Sequence, residues 1–174
     1  MMFLCGISED RDLFEWLNNE IWPREAKVKP ECIYNLSRFA MLEMIKTGTT
    51  MFNDMYFYPK YTIMAAQEMG VRSVISYCGM DFFNENKLKQ QEKDIEDFLS
   101  IELKSKNIIK SLSCHSVYTT SERMFKYCKK YADKYETYLH IHANETQKEV
   151  EDCAKKTSLR PIKLMEKYSV LGKK

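Results

Sequence analysis

The sequence predicts an α/β fold built from parallel βαβ units. Three observations carry that expectation. Strand-like stretches alternate with helix-like ones at roughly 20–35-residue intervals, the pattern of parallel units. Two strand-like stretches keep polar residues on one alternating face, and all three histidines stand at strand ends. No G-x-G-x-x-G or G-x-x-x-x-G-K-[ST] follows any strand, which removes the common nucleotide-fold signatures. Periodicity alone leaves two architectures open, a doubly wound sheet and part of a closed barrel.

The elements follow in order. Ile33, Leu36, Phe39, Ala40 and Met44 recur at helical spacing between Cys32 and Lys46, and Gly48 supplies the stop. Thr49 to Tyr56 is β-branched and aromatic, of strand length. A helix from Lys60 to Met69 ends at Gly70, and Val71 to Tyr77 is a second strand. The charge-rich stretch from Asn84 to Lys106 contains a helix over Glu92 to Leu103, and Ile108 to His115 is the third strand. Ser121 caps a helix through Tyr135, with Glu122 in the first turn where a carboxylate suits the dipole. Thr137 to His142 is the fourth strand. Helices follow over Gln147 to Lys156 and, after Pro161, Ile162 to Tyr168.

Composition bounds the function classes. With 174 residues the chain is read as one domain, 1–174, and 44% apolar with 30% charged residues suits a soluble globular protein. Twenty-seven basic against 25 acidic residues leave +2, with the signs mixed, so neither nucleic acid nor an anionic membrane is expected as partner. Lys129-Lys130 and Lys173-Lys174 read as solvated helix face and tail. No apolar run approaches the roughly 18 residues of a membrane span. Met1 to Gly6 lacks the basic leader and length of a signal peptide. Six cysteines without a C-x-x-C pair argue against a zinc knuckle and fit reduced thiols in a cytoplasmic protein.

The polar faces carry the chemistry. Alternation in the fourth strand puts Tyr138, His140 and His142 on one face, and Leu139, Ile141 and Ala143 on the other. A parallel strand covered on both sides is normally apolar throughout, so two imidazoles on one face suggest a polar interior. In a closed barrel His142 would be the rim residue, His140 one layer deeper, and Glu145 on the loop just beyond. An imidazole beside a carboxylate can grip a metal and move protons for its bound water. Spacing alone favours the plainer alternative, hydrogen-bonded histidines holding no metal. Ser111, Ser113 and His115 alternate in the same way, and by itself His115 reads as structural. Asn53-Asp54 closes the first strand, as turn formers also do.

Four stretches, in order, resemble the methylthioadenosine/S-adenosylhomocysteine deaminase group of the amidohydrolase superfamily, where archaeal 5′-deoxyadenosine deaminases also fall. They are Gly6-Ile7-Ser8-Glu9-Asp10 through Phe14 to Leu17 with Ile21-Trp22-Pro23-Arg24-Glu25, then Gly48 to Tyr56, His115 to Glu122, and His140 to Thr146. Arg160-Pro161-Ile162 to Gly172 is similar to the family's next helix and its lead-in. Each motif is weak singly; four in register over nearly the whole chain are specific.

The resemblance implies a partial (β/α)8 TIM barrel, four βα units corresponding to the family's strands 2 to 5. It implies His142 as ligand to one Zn2+ and Glu145 as the group that shuttles protons to the purine ring. His115 would contact the nucleoside and Glu25 would accept from ribose hydroxyls. Trp22 is a packing residue of the segment delivering Glu25, with a wall of the nucleoside pocket as its other reading. The implied reaction is hydrolytic deamination of methylthioadenosine, S-adenosylhomocysteine or 5′-deoxyadenosine to an inosine-type product and ammonia.

Where this chain departs from the pattern, expectations change. The family's first-strand H-x-H, sixth-strand histidine and eighth-strand aspartate have no counterpart, leaving His142 alone of four protein ligands. A catalytic zinc needs about three. The chain by itself is therefore expected to be inactive, with open strand edges that pair with a complementary chain or a second copy. Where the family's tail-binding arginines would stand, Tyr77 and Lys87 are found, which favours an uncharged 5′ substituent. Two other readings stay open: a non-catalytic remnant acting as an interaction module, and a guanine or triazine substrate, against which Glu25 argues mildly.

Overall fold

The computed structural model describes residues 2–8 and 10–172. Glu9 of the N-terminal motif and the Lys173-Lys174 tail lie outside them. Four strands, β1 (Met51–Tyr56), β2 (Arg72–Gly79), β3 (Ile108–Cys114) and β4 (Leu139–Ile141), form one parallel sheet in the order β1-β2-β3-β4. Ahead of them lie the short helices α1 (Leu13–Trp16) and α2 (Trp22–Glu25), joined by a π-helical turn, and then α3 (Pro30–Lys46). Helices α4 (Pro59–Met69), α5 (Glu85–Ser100) and α6 (Glu122–Lys134) follow the first three strands, and α7 (Gln147–Thr157) and α8 (Pro161–Lys167) follow β4.

Local chemistry explains the boundaries. Gly70 takes φ +67° and closes α4, because a left-handed residue lets the last carbonyls be satisfied at no Cβ cost. Ser121 Oγ accepts from Met124 N, as a cap should. Helix α5 begins seven residues before the expected Glu92. Asn84 caps it by accepting from Asn86 N and Lys87 N, and Leu88 packs inward from a turn whose other residues are polar. β4 is shorter than the expected Thr137 to His142, its ladder ending at Ile141. The short helices over Leu13–Glu25 bury Leu17 and Ile21 against Leu4, a small core of their own.

Register sorts the faces. Phe52, Ile75, Leu112 and Ile141 belong to one face, where Ile75, Leu112 and Cys114 are buried against the helices. Asn53, Ser76, Ser111, Ser113 and His140 share the other. Ser76 and Ser111 bond across it at 2.6 Å, both fully buried. Asn53 Nδ2 lies 3.1 Å from His140 Nδ1, joining the first strand to the fourth. Three strand spacings in a flat sheet would hold these residues about 14 Å apart. The sheet therefore curls into a half-barrel, polar on the concave side.

One side of the half-barrel is incomplete. Helix α3 packs on α4, leaving a groove of about 620 Å3 between its inner face and the free edge of β1. Leu4, Ile33, Leu36, Met44 and Phe52 line it, together with Asp54. Asp54 Oδ2 is buried without a hydrogen-bond partner among the described residues, and burial raises its carboxyl pKa.

Candidate functional site

The site lies at the C-terminal ends of the strands, where parallel barrels carry their chemistry. His115 follows β3 directly and His142 follows β4 directly. Their backbones continue the ladder past the strands, His115 N donating to Gly79 O and His142 N to His115 O, each at 3.0 Å. This alignment brings the two rings nearly perpendicular, with centroids 5.2 Å apart. His140, one step deeper, stands 5.9 Å from His142. The layering expected from strand alternation is present.

Helix α2 delivers Glu25 over this rim. Tyr56 at the end of β1 donates its hydroxyl to Glu25 Oε1 at 2.7 Å. Burial raises the Glu25 pKa, and the Tyr56 hydrogen bond offsets only part of that rise. Trp22 meets the Phe82 ring edge-on at 5.9 Å. A cavity of about 80 Å3 is enclosed by Trp22, Glu25, Tyr56, Cys78, His115 and His142. The structure thus brings together four of the six predicted site residues.

The other two stand outside that cavity. Glu145 is exposed, and its Oε2 accepts from the Tyr118 hydroxyl at 3.3 Å. Tyr118 in turn sets its ring edge-on to His115 at 5.9 Å, so Glu145 is linked to the cavity through one side chain. Lys87 lines an adjoining pocket of about 480 Å3 with Trp22, Glu25 and Phe82, its ammonium 4.7 Å from the Phe82 ring centroid. Tyr77 is turned into the helical layer, where it donates to Asp94 at 3.2 Å and packs on Phe98. It is no candidate for a ligand's tail.

Three supporting residues escaped the sequence reading. Glu149 is buried at the third position of α7 and accepts from Glu145 N at 2.6 Å and Asn144 N at 3.3 Å. The Thr146-x-x-Glu149 spacing of a capping box was its available signal. Asp81 is buried and accepts from Ser121 N at 2.9 Å, tying the loop after β2 to the loop after β3. Phe82 and Phe83, beside it, both take left-handed backbone, φ 49° and 58°. Thr119 holds His115, its Oγ1 lying 2.9 Å from His115 Nδ1. Burial, with His142 second, lowers the His115 pKa to about 4, so the ring is neutral at pH 7. Burial lowers that of His140 as well.

A metal can be tested against these groups. Among the described residues no three His, Cys, Asp or Glu side chains are placed to hold an ion. Nδ1 of His115 and of His140 are already engaged by Thr119 and Asn53. The described residues do not amount to a complete zinc site. All six cysteines are free thiols, and among the described residues no helix is long and apolar enough to cross a membrane.

Comparison with known proteins agrees with this picture. The chain is 39% identical over 173 residues to a 5′-deoxyadenosine deaminase of Methanosphaera stadtmanae, covering 98% of this chain and 41% of that protein. It is 37% identical to a protein of the same description from Methanocaldococcus jannaschii, covering 93% of this chain and 39% of that one. The chain thus spans about two fifths of the length of these relatives. Its fold matches a zinc-bound adenosine deaminase from Xanthomonas campestris with a TM-score of 0.84 at 24% identity, over 96% of this chain and 39% of that one. It matches a guanine deaminase from C. acetobutylicum with bound guanine at 0.81 and 21% identity, over 94% and 42%. At such identities the likeness establishes the fold, a segment of an α/β barrel. Residues 3–173 match the amidohydrolase family along nearly their whole length, and the chain belongs to that family.

Proposed function

We propose that this chain forms the substrate-facing half of a deaminase acting on adenosine-type nucleosides, water replacing the ring amino group to give an inosine-type product and ammonia. The observation that supports it is the convergence of Trp22, Glu25, His115 and His142 on one cavity at the strand ends. The likeness to 5′-deoxyadenosine deaminases supports the substrate class. Each residue has a role its geometry suits. Glu25, aimed by Tyr56, accepts from ribose hydroxyls. His115, neutral at pH 7, hydrogen-bonds the nucleoside, and Trp22 walls the pocket. Glu145, steadied by Tyr118 and by Glu149 beneath its backbone, carries a proton from the attacking water to the purine ring. Among the described residues lining the adjoining pocket there is no arginine to hold a zwitterionic tail, only Lys87, which fits a substrate whose 5′ group is uncharged.

His142 would be this chain's contribution to a metal whose other ligands lie outside these residues. The groove beside β1 supports that division: it is mostly apolar, follows a strand edge unpaired among the described residues, and presents one unpartnered carboxylate oxygen, Asp54 Oδ2. A strand added there would cover apolar surface and give Asp54 a donor.

A chimera tests the proposal. Residues 3–173 of this chain replace the matching part of the Methanosphaera stadtmanae relative, and ammonia release from 5′-deoxyadenosine is measured. Activity that H142A and E145Q each abolish is expected. A folded, zinc-loaded chimera that releases none would sink the reading. The isolated chain should hold well under one zinc and release no ammonia; an active preparation of it alone would overturn the division.

A further inference from the structure

The N-terminal segment through Glu25 lies across the strand ends with a core of its own. Leu4, Leu17 and Ile21 are buried together, with Phe3, Leu13 and Trp16 packed on them, while the main core draws on the strands and the later helices. Polar groups of the segment also bond within it. Trp16 Nε1 donates to Ile7 O at 2.8 Å, and Glu20 pairs with Arg24 at 2.5 Å and with Arg11 at 3.4 Å. Against the barrel rim it sets rings. Phe14 meets Tyr118 edge-on at 5.1 Å, with the Lys148 ammonium 5.7 Å from the Phe14 ring centroid. Trp22 meets Phe82, and Glu25 takes the Tyr56 hydroxyl at the end of β1.

The cavity of about 80 Å3 and the pocket of about 480 Å3 share a wall of five residues, Trp22, Glu25, Phe57, Cys78 and Met80. A pocket that buries a drug-sized ligand holds about 300 Å3 or more, so the smaller space is too tight for one. Three residues of the wall are set by the ends of β1 and β2. Gln91 fixes Met80 further, accepting from its N at 2.8 Å and donating to its O at 2.9 Å. Trp22 and Glu25 are carried instead by α2, outside the sheet. We infer that the segment bearing α1 and α2 is a lid that swings as one body, fusing the two spaces into a single ligand site, with Phe14 on Tyr118 and Trp22 on Phe82 as its latches. The turn at Ala26 and Lys27 and the extended Lys29 ahead of α3 supply the hinge. Because the small core travels with the lid, opening breaks ring-edge contacts and one hydrogen bond rather than a buried interior. The opened site takes a flat polar head at His115 and a longer arm over Cys78 and Met80. That this ligand is a nucleoside rests on the proposed function; the motion does not.

The chain's two tryptophans, Trp16 and Trp22, both ride on the lid, so fluorine NMR of the 5-fluorotryptophan-labelled chain tests it. F14A removes the latch at Tyr118 and leaves the one at Phe82. It should nevertheless raise the solvent-exposed population of Trp22 about two- to tenfold, the weight of one ring-edge contact. In the same protein the Trp16 indole N–H, bonded inside the lid, should keep its protection against exchange. F14L is the milder variant if F14A unfolds, with a shift of the same sign expected. A Trp22 population that neither variant moves, in a protein whose amide spectrum is folded, overturns the proposal. Loss of Trp16 protection alongside Trp22 exposure overturns it too, because the segment would then melt instead of swinging. The readout needs no turnover, so an inactive chimera whose lid still swings would count against the deaminase reading only.

Discussion

Asn53 on the first strand and His140 on the fourth touch across the concave face, 3.1 Å apart, although two strands lie between them. The pair acts as a clasp on the curl of the sheet. Half exposed as it is, it should contribute little: N53A is expected to lower stability by about 1 kcal/mol in urea unfolding. A loss above about 3 kcal/mol would mean that the curl itself depends on this bond.

Glu149 is the deeper restraint on the loop that carries Glu145. E149A leaves two backbone donors unpaired and should cost about 1–3 kcal/mol. Amide exchange is the sharper measurement. Asn144 and Glu145 amides should lose protection while those of β2 keep theirs, and equal loss in both places would show a global effect instead.

Gly79 is needed for space, not for its backbone angle. A Cβ there would come within 3.0 Å of Ser113 O, 3.2 Å of Met124 Cγ and 3.3 Å of Cys128 Sγ, on the seam between β2, β3 and α6. Overpacking predicts that G79A costs about 1–3 kcal/mol, read from the urea midpoint. C128A in the same chain should recover part of that loss, since it removes one of the three close atoms.

The buried His115 ties stability to pH. Its pKa falls from about 6.5 in the unfolded chain to about 4 in the fold. Between those values the unfolded chain takes up a proton that the folded chain refuses. Stability from this site is thus intact above pH 6.5 and is lost as the pH falls toward 4, by up to about 3 kcal/mol. Urea unfolding of wild type and H115N at pH 7.5 and 4.5 checks the sign: the wild type should lose more on acidification. A parallel loss in both proteins would remove His115 as the cause.

Much of this was legible in the sequence, for identifiable reasons. Alternation in Tyr138 to Ala143 sorts His140 and His142 from Leu139 and Ile141, because strand period is fixed by the backbone. Alternation also set His115 at a strand end, but its meeting with Glu25 was legible only through resemblance, since no spacing rule connects residues ninety apart in sequence. Glu145 was placed beside His142 by proximity along the chain, yet its carboxylate turns to Tyr118. Tyr77 sits on the helix-facing side, whereas its neighbour Cys78 faces the cavity. The start of α5 was hidden because Glu85 to Gln91 offers a single apolar anchor, Leu88, and too little periodicity to read.

The sheet order β1-β2-β3-β4 has a bearing on how the chain reaches this structure. Every strand pairs with its immediate predecessor, so no pairing waits on a distant segment. Contacts separated by only one βα unit keep loop-closure entropy low at each step. During synthesis each new strand would find its docking edge already formed, and the array would lengthen by accretion from β1 toward β4. In such growth the last edge to form is also the first to peel away. Fraying should therefore begin at the three-residue β4, carrying His142 out of the site while β1, β2 and β3 stay paired.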